Sequence, residues 1–239
     1  MKSVIDFVSR VRMSALSLGL LAILFLSAGG CATTPPPVNS LATHDSSQWE
    51  KAVLAFEASD RTNPPPPHPI VFVGSSSIVK WKSLAADFPG LPVMNRGFGG
   101  SQLADSVHYA DRLVIRYAPR EVVVYAGGND LHAGKSPEVV YGDFVALMQK
   151  LHAALPHAKL AFISSAPNHA RWAQVEKVKR LNSLAEKYCR HHGIAFINVF
   201  PLMLGPDGRP KPDIYVADGL HMNAKGYAIW QPAVAPYLK

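Results

Sequence analysis

Short uncharged apolar runs recur along the chain and limit its architecture more than any other feature. They are Ile70-Val71-Phe72-Val73, Pro92-Val93-Met94, Val122-Val123-Val124-Tyr125, Leu160-Ala161-Phe162-Ile163 and Ile194-Ala195-Phe196-Ile197. Each has strand length and lacks polar alternation, the pattern of a strand buried on both faces. Stretches with helical spacing separate them, over residues 103–117, 137–155 and 171–191, and Pro137 stands where proline commonly opens a helix. A further helix is expected from Gln48 to about Ser59, ahead of the break Asn63-Pro64-Pro65-Pro66-Pro67. Strands and helices in this alternation predict an α/β domain, a parallel sheet with helices on both sides. Ligands of such a sheet sit outside the carboxyl ends of its strands, so a motif directly after an apolar run carries the most weight.

The first thirty residues are of another kind. Lys2, Arg10 and Arg12 precede an uncharged run from Met13 to Gly30, a signal-peptide layout. Its strongly apolar heart is about 14 residues, short of the roughly 20 that span a bilayer, and it runs into Ser27-Ala28-Gly29-Gly30-Cys31. Small residues before a cysteine resemble a bacterial lipobox, with Ala28 where leucine is usual. Cys31 is then the lipidated first residue of the mature protein, and Ala32 favours sorting to the outer membrane, facing the periplasm. An ordinary secretory signal or an uncleaved anchor would also export the domain. Residues 31–47, rich in Pro, Thr, Ser and Asn, read as a tether, leaving 48–239 as the folded domain.

The formal charge of the 239-residue chain is +7, and loss of residues 1–30 removes three positive charges and one negative, lowering it by two. Lys and Arg are scattered rather than striped, which argues against a nucleic-acid partner. With Cys31 taken by lipid, Cys189 has no partner for a disulfide, and no cysteine-rich metal spacing exists.

Four motifs fall after the apolar runs or near the C-terminus. Gly74-Ser75-Ser76-Ser77 follows the first run; a serine there is either a helix N-cap or a nucleophile whose own amide faces developing charge, and the residues alone do not rank the three serines. Asn95-Arg96-Gly97-Phe98-Gly99-Gly100-Ser101 follows the second, as a plain loop or as glycines that expose an amide to an oxyanion; the dinucleotide spacing and its downstream acid are missing. After the third comes Gly127-Gly128-Asn129-Asp130, a set of turn formers in which Asn129 is a possible oxyanion donor and Asp130 a possible loop holder. Finally, Asp218-Gly219-Leu220-His221 places a carboxylate three residues before one of the chain's 10 histidines, close enough to accept its Nδ1 proton and leave Nε2 as a base.

Taken together, these blocks resemble the GDSL or SGNH hydrolase family from about Ile70 to the end, close to its platelet-activating-factor acetylhydrolase-like lipolytic members. Ile163-Ser164-Ser165-Ala166-Pro167, Arg171-Trp172, Met222-Asn223 and Gly226-Tyr227 add to the likeness. The resemblance implies a flavodoxin-like three-layer α/β/α sandwich around a five-stranded parallel sheet. It implies Ser76 as nucleophile, His221 as base and Asp218 as its orienting acid. Ser76, Gly100 and Asn129 would form the oxyanion hole, and neither metal nor organic cofactor would be needed. Ser75 replaces the family's aspartate beside the nucleophile.

The expected activity is hydrolysis of carboxylic esters, short acyl or acetyl esters first, through an acyl-enzyme. Alternatives are a polysaccharide O-acetyl esterase, a thioesterase, or a catalytically silent envelope lipoprotein that binds glycan in the same cleft. Partners follow as a small-molecule or glycan ester and a membrane reached through the N-terminal lipid. Trp81, Phe98, Tyr125 and Trp172 are candidates to line the acyl or sugar site, with core packing the usual fate of such rings.

Overall fold

The structure, a computed structural model, describes residues 38–238; the expected signal peptide and Cys31 lie outside them. Its sheet consists of β1 (Ile70–Gly74), β2 (Val93–Gly97), β3 (Glu121–Tyr125), β4 (Lys159–Ile163) and β5 (Ala195–Ile197). Every pairing is parallel, in the order β2-β1-β3-β4-β5. Each apolar run in the sequence thus supplies a strand.

Alternation along the strands divides the core in two. Val71, Val73, Val122, Val124, Leu160 and Phe162 face one layer, holding α1 (Glu50–Thr62), α4 (Leu103–His108), α5 (Ala110–Leu113), α6 (Gly128–His132), α7 (Pro137–Ala154) and α8 (Val175–His192). Ile70, Phe72, Val123, Ala161 and Ile163 face the other, with α2 (Ser76–Val79), α3 (Leu84–Asp87) and α9 (Ala224–Val234). The second layer is aromatic: Trp81 meets Phe72, Phe88, Tyr227 and Trp230. Burying such side chains stabilises by about 1.5–3 kcal/mol each, and the indole N–H of Trp81 is satisfied by Asp87 Oδ2 at 2.6 Å.

Three expectations need correction. Residues 103–117 do not form one helix, because backbone angles leave the helical range at Tyr109 and Val114, giving α4, α5 and a 3₁₀ turn. The break at Tyr109 accompanies a remote contact: its hydroxyl donates to the Ser46 carbonyl at 2.9 Å and its ring meets Phe98 edge-on. The second strand runs on past its apolar start through Asn95 and Arg96. Arg96 tolerates burial there because Asp60 pairs with it and the rings of Phe56 and Tyr117 cover its guanidinium at 5.0 and 4.9 Å.

The third correction concerns the tether, whose last residues are docked. Ser40 donates its N–H and its hydroxyl to the two carboxylate oxygens of Asp143 on α7, at 2.7 Å each. His44 Nε2 lies 2.7 Å from Asp105 Oδ1 on α4. The folded unit therefore takes in residues 38–47 as well as the expected domain.

Sheet order reverses between β1 and β3, so the loops after these strands diverge and leave a crevice at their carboxyl ends.

Candidate active site

β1 ends at Gly74, whose φ is +138° and whose missing Cβ would fall 1.9 Å from the Tyr125 carbonyl oxygen. Only glycine lets the backbone turn this close to β3. The same Tyr125 oxygen accepts the Ser75 N–H at 3.0 Å. Ser75 is extended and caps the short helix α2, which makes Ser76 its first residue. The Ser76 N–H consequently has no carbonyl within the helix to bind. This sharp strand-to-helix turn presents the Ser76 hydroxyl at the crevice.

His221 arrives from the C-terminal loop. An antiparallel bridge between Tyr215 and Met222 pins the base of that loop. Its tip is fastened where the Gly219 carbonyl accepts the N–H groups of His169 and Ala170 at 2.9 and 3.1 Å. His221 Nε2 lies 2.9 Å from Ser76 Oγ, and Nδ1 lies 2.6 Å from Asp218 Oδ2. Asp218 Oδ1 also accepts the N–H groups of Leu220 and His221, at 2.9 Å each. These bonds, the ring of His221 first, hold the Asp218 carboxyl well below the usual carboxylate range. An ionised acceptor at Nδ1 keeps the proton on that nitrogen, leaving Nε2 to take one from a hydroxyl.

Asn129, the second residue of α6, completes the crevice from the end of β3. Its Nδ2 donates to the Ser101 carbonyl at 2.9 Å, and its Oδ1 accepts from Arg171 Nη1 at 2.9 Å. The amide plane is thereby fixed, with one Nδ2 hydrogen still unassigned. Gly100 is exposed, with φ +87°, and does not line the cavity; a Cβ on it would meet the ring of Trp49 at 3.1 Å. Its neighbour Gly99 passes over Ser76, an added Cβ standing 3.9 Å from that of the serine. The Gly100 N–H binds no acceptor among the described residues.

Ser76, His221, Asp218 and Asn129 are therefore brought together, and Gly100 stands at the rim of the same loop. Asp130 turns the other way: its Oδ1 accepts the Leu103 N–H at 3.0 Å, so it holds the loop as the sequence allowed. Ser77, in contrast to Ser76, turns its carbonyl to the Tyr227 hydroxyl at 2.9 Å. Among the aromatic candidates Trp81 and Phe98 are buried in the core, whereas Tyr125 lines the cavity. Trp172 is covered by the Arg209 guanidinium, 4.9 Å from its ring centre.

Arg171 in the cavity wall escaped the reading by motif roles, although its place after the fourth apolar run was a usable signal. Among the described residues no group of His, Cys, Asp and Glu is placed to hold a metal ion. Cys189 is buried, and burial pushes its thiol up to about 12, which removes it as a nucleophile.

Comparison with known proteins agrees with this fold. The profile of the GDSL-like Lipase/Acylhydrolase family matches residues 71–229. Among solved structures, a provisional platelet activating factor from Streptococcus pneumonia is 19% identical with a TM-score of 0.71, the match covering 80% of this chain and 94% of that one. A GDSL-like lipase from Bacteroides thetaiotaomicron is 21% identical with a TM-score of 0.67, covering 77% and 96%. A provisional acylhydrolase from Bacteroides fragilis is 20% identical with a TM-score of 0.66, covering 77% and 95%. Comparison with curated proteins gives no match. At these identities the structures speak for the fold, while the profile spans most of the chain. The chain belongs to the GDSL-like lipase/acylhydrolase family and is a carboxylic ester hydrolase.

Proposed function

We propose that the protein is a serine esterase that removes short acyl groups, acetyl above all, using Ser76, His221 and Asp218. The observation that carries this reading is the unbroken line from Ser76 Oγ through the His221 ring to the Asp218 carboxylate, at 2.9 and 2.6 Å. In the first step Oγ attacks the ester carbonyl carbon while His221 Nε2 takes the hydroxyl proton. The carbonyl π electrons move to oxygen, and the resulting oxyanion meets the amides of Ser76 and Gly100 and the free Nδ2 hydrogen of Asn129. Collapse expels the alcohol, which receives the proton from His221. Water, deprotonated by the same nitrogen, then attacks the acyl-serine and releases the carboxylic acid.

The preference for acetyl rests on space. The cavity beside Ser76 has a volume of about 40 Å³, room for a few water-sized groups rather than a long chain. Its wall includes Ala166, Val178 and Met203, which suit a methyl group. We further infer that the enzyme works outside the cytoplasm, tethered to a membrane through lipid on Cys31. The N-terminal charge and hydropathy pattern supports that placement.

A fluorophosphonate probe with peptide mapping, run beside p-nitrophenyl esters of two to eight carbons, tests the reading. Labelling is expected on Ser76, with kcat/KM highest for acetate. A folded protein that neither labels nor turns over ester would leave a binding protein instead.

A further inference from the structure

Arg171 occupies the wall of the cavity and brings no counter-charge with it. Its Nη1 donates to the Gly128 carbonyl at 3.2 Å and to Asn129 Oδ1 at 2.9 Å. Among the described residues its Nε and Nη2 donate to nothing and no carboxylate lies within ion-pair distance. The other arginines withdrawn from solvent behave differently. Arg96 is paired with Asp60, and Arg112 clamps Glu50 and Glu57 at 2.8 and 2.7 Å. Withdrawing a charge from water costs free energy unless a partner answers it, which is why buried ions are paired as a rule.

Burial lowers the Arg171 pKa, with the Tyr125 hydroxyl acting weakly the other way and no Asp or Glu among the influences on it. Against the general rule, then, this guanidinium is held half-dry with part of its fork unused. Among the described residues no Asp or Glu lines the cavity. The rim beyond it carries more positive charge, since Arg209 lies over Trp172, the next residue in the chain. An arginine fork with spare donors matches the two oxygens of a carboxylate better than any neutral group.

The cavity that Arg171 shares with Ser76 has a volume of about 40 Å³, too little for an acetyl group and a carboxylate carried on one acyl chain, so the anion has to enter with the alcohol. We propose that Arg171 selects the substrate by binding a carboxylate carried on the alcohol part of the ester, which makes the natural substrates short-acyl, chiefly acetyl, esters of acidic hydroxy compounds such as acidic sugars. This inference rests on the esterase reading for the ester bond, but its charge preference is measurable on its own.

The test uses an O-acetylated hexuronic acid and its primary carboxamide, which differ in one charge at nearly the same shape, with acetate release as the readout. For the wild-type protein, kcat/KM is expected to favour the carboxylate by about 10- to 100-fold, as one charge-assisted bidentate contact implies, and the ratio should shrink as salt is raised. In Arg171→Met the ratio should fall to near one, whatever happens to the absolute rates; Arg171→Lys should keep part of it. If Arg171 served only to hold the Asn129 amide, Arg171→Met would slow both esters equally and leave the ratio intact. That result, or a wild-type ratio near one, overturns the proposal.

Calorimetric binding of the same two esters to Ser76→Ala separates this proposal from the reading beneath it. Charge-dependent binding without any turnover of these esters or of p-nitrophenyl acetate by the wild type would remove the esterase reading alone. Turnover of p-nitrophenyl acetate without charge preference in rate or in binding would remove the Arg171 proposal alone.

Discussion

Asp218 reaches His221 within one turn of backbone, its Oδ2 2.6 Å from Nδ1 while its Oδ1 accepts the N–H groups of Leu220 and His221. The pair is assembled locally, before any long-range folding is considered. Asp218→Asn preserves the shape but offers an N–H donor to Nδ1, which favours the wrong tautomer. Loss of kcat on p-nitrophenyl acetate should lie between about 10² and 10⁴, toward the lower end because the Asp218 side chain is 46% exposed and water can replace part of its effect. A change of less than threefold would remove Asp218 from the reaction.

The complementary pair is remote. Ser76 Oγ and His221 Nε2 meet at 2.9 Å across 145 residues of chain. Groups that act as one unit lose their effect together, so Ser76→Ala, His221→Ala and the double variant should be slowed to nearly the same residual rate. Steady-state kinetics with circular dichroism as a folding control checks this. A double variant whose losses multiply would mean that the two side chains act separately.

Asn129 is fixed by two hydrogen bonds before substrate arrives, to the Ser101 carbonyl and from Arg171 Nη1, each 2.9 Å. A donor so held loses no freedom when the oxyanion forms. Asn129→Ala should therefore lower kcat by about 10²–10³ with little change in KM. An increase confined to KM would assign the residue to ground-state binding.

Much of this was legible in the chain because it is encoded locally. The strands announce themselves as apolar runs, and Asp218 and His221 lie three residues apart. What stayed hidden depends on remote partners. Three adjacent serines look alike until His221 arrives to single out Ser76. Arg96 looks unlike a strand residue until Asp60, Phe56 and Tyr117 surround it. Tyr109 breaks a helical pattern while its hydroxyl reaches Ser46, far upstream. Residues 38–47 have the composition of a linker, and only Asp143 and Asp105 reveal where they dock.

Asp130 gives a pH signature. Burial raises its pKa to about 6, outweighing Lys135, 3.6 Å away, and the Leu103 N–H, while Asp143 adds to the rise. The folded state therefore favours the neutral acid. Its contribution to stability is full below the unfolded value of 3.8 and is lost as pH rises through about 6. Urea unfolding across pH 3.5 to 7 should show the wild type losing on the order of 2–3 kcal/mol relative to Asp130→Asn. Parallel curves for the two proteins would mean that Asp130 titrates alike in the folded and unfolded states.

Gly142 sets two effects against each other. It lies inside α7, where replacing glycine by alanine ordinarily stabilises by about 1 kcal/mol. Here, however, the added Cβ would fall 1.9 Å from the Val38 carbonyl oxygen. Helix and segment cannot both keep their places, and the segment is the weaker partner, held chiefly by Ser40 on Asp143 and His44 on Asp105. Its displacement leaves Asp143 buried with Lys135, 3.0 Å away, as its remaining charged partner. Desolvation then costs more than helix propensity returns, at about 1–3 kcal/mol for each unsatisfied buried group. Gly142→Ala should accordingly lower the unfolding free energy despite its better helix former. Hydrogen exchange should locate the loss, with the Ser40 amide, which donates to Asp143 Oδ1 at 2.7 Å, exchanging as an open amide while α7 stays protected. A raised Tm together with an unchanged Ser40 amide would show that residues 38–47 do not rest on α7 in solution.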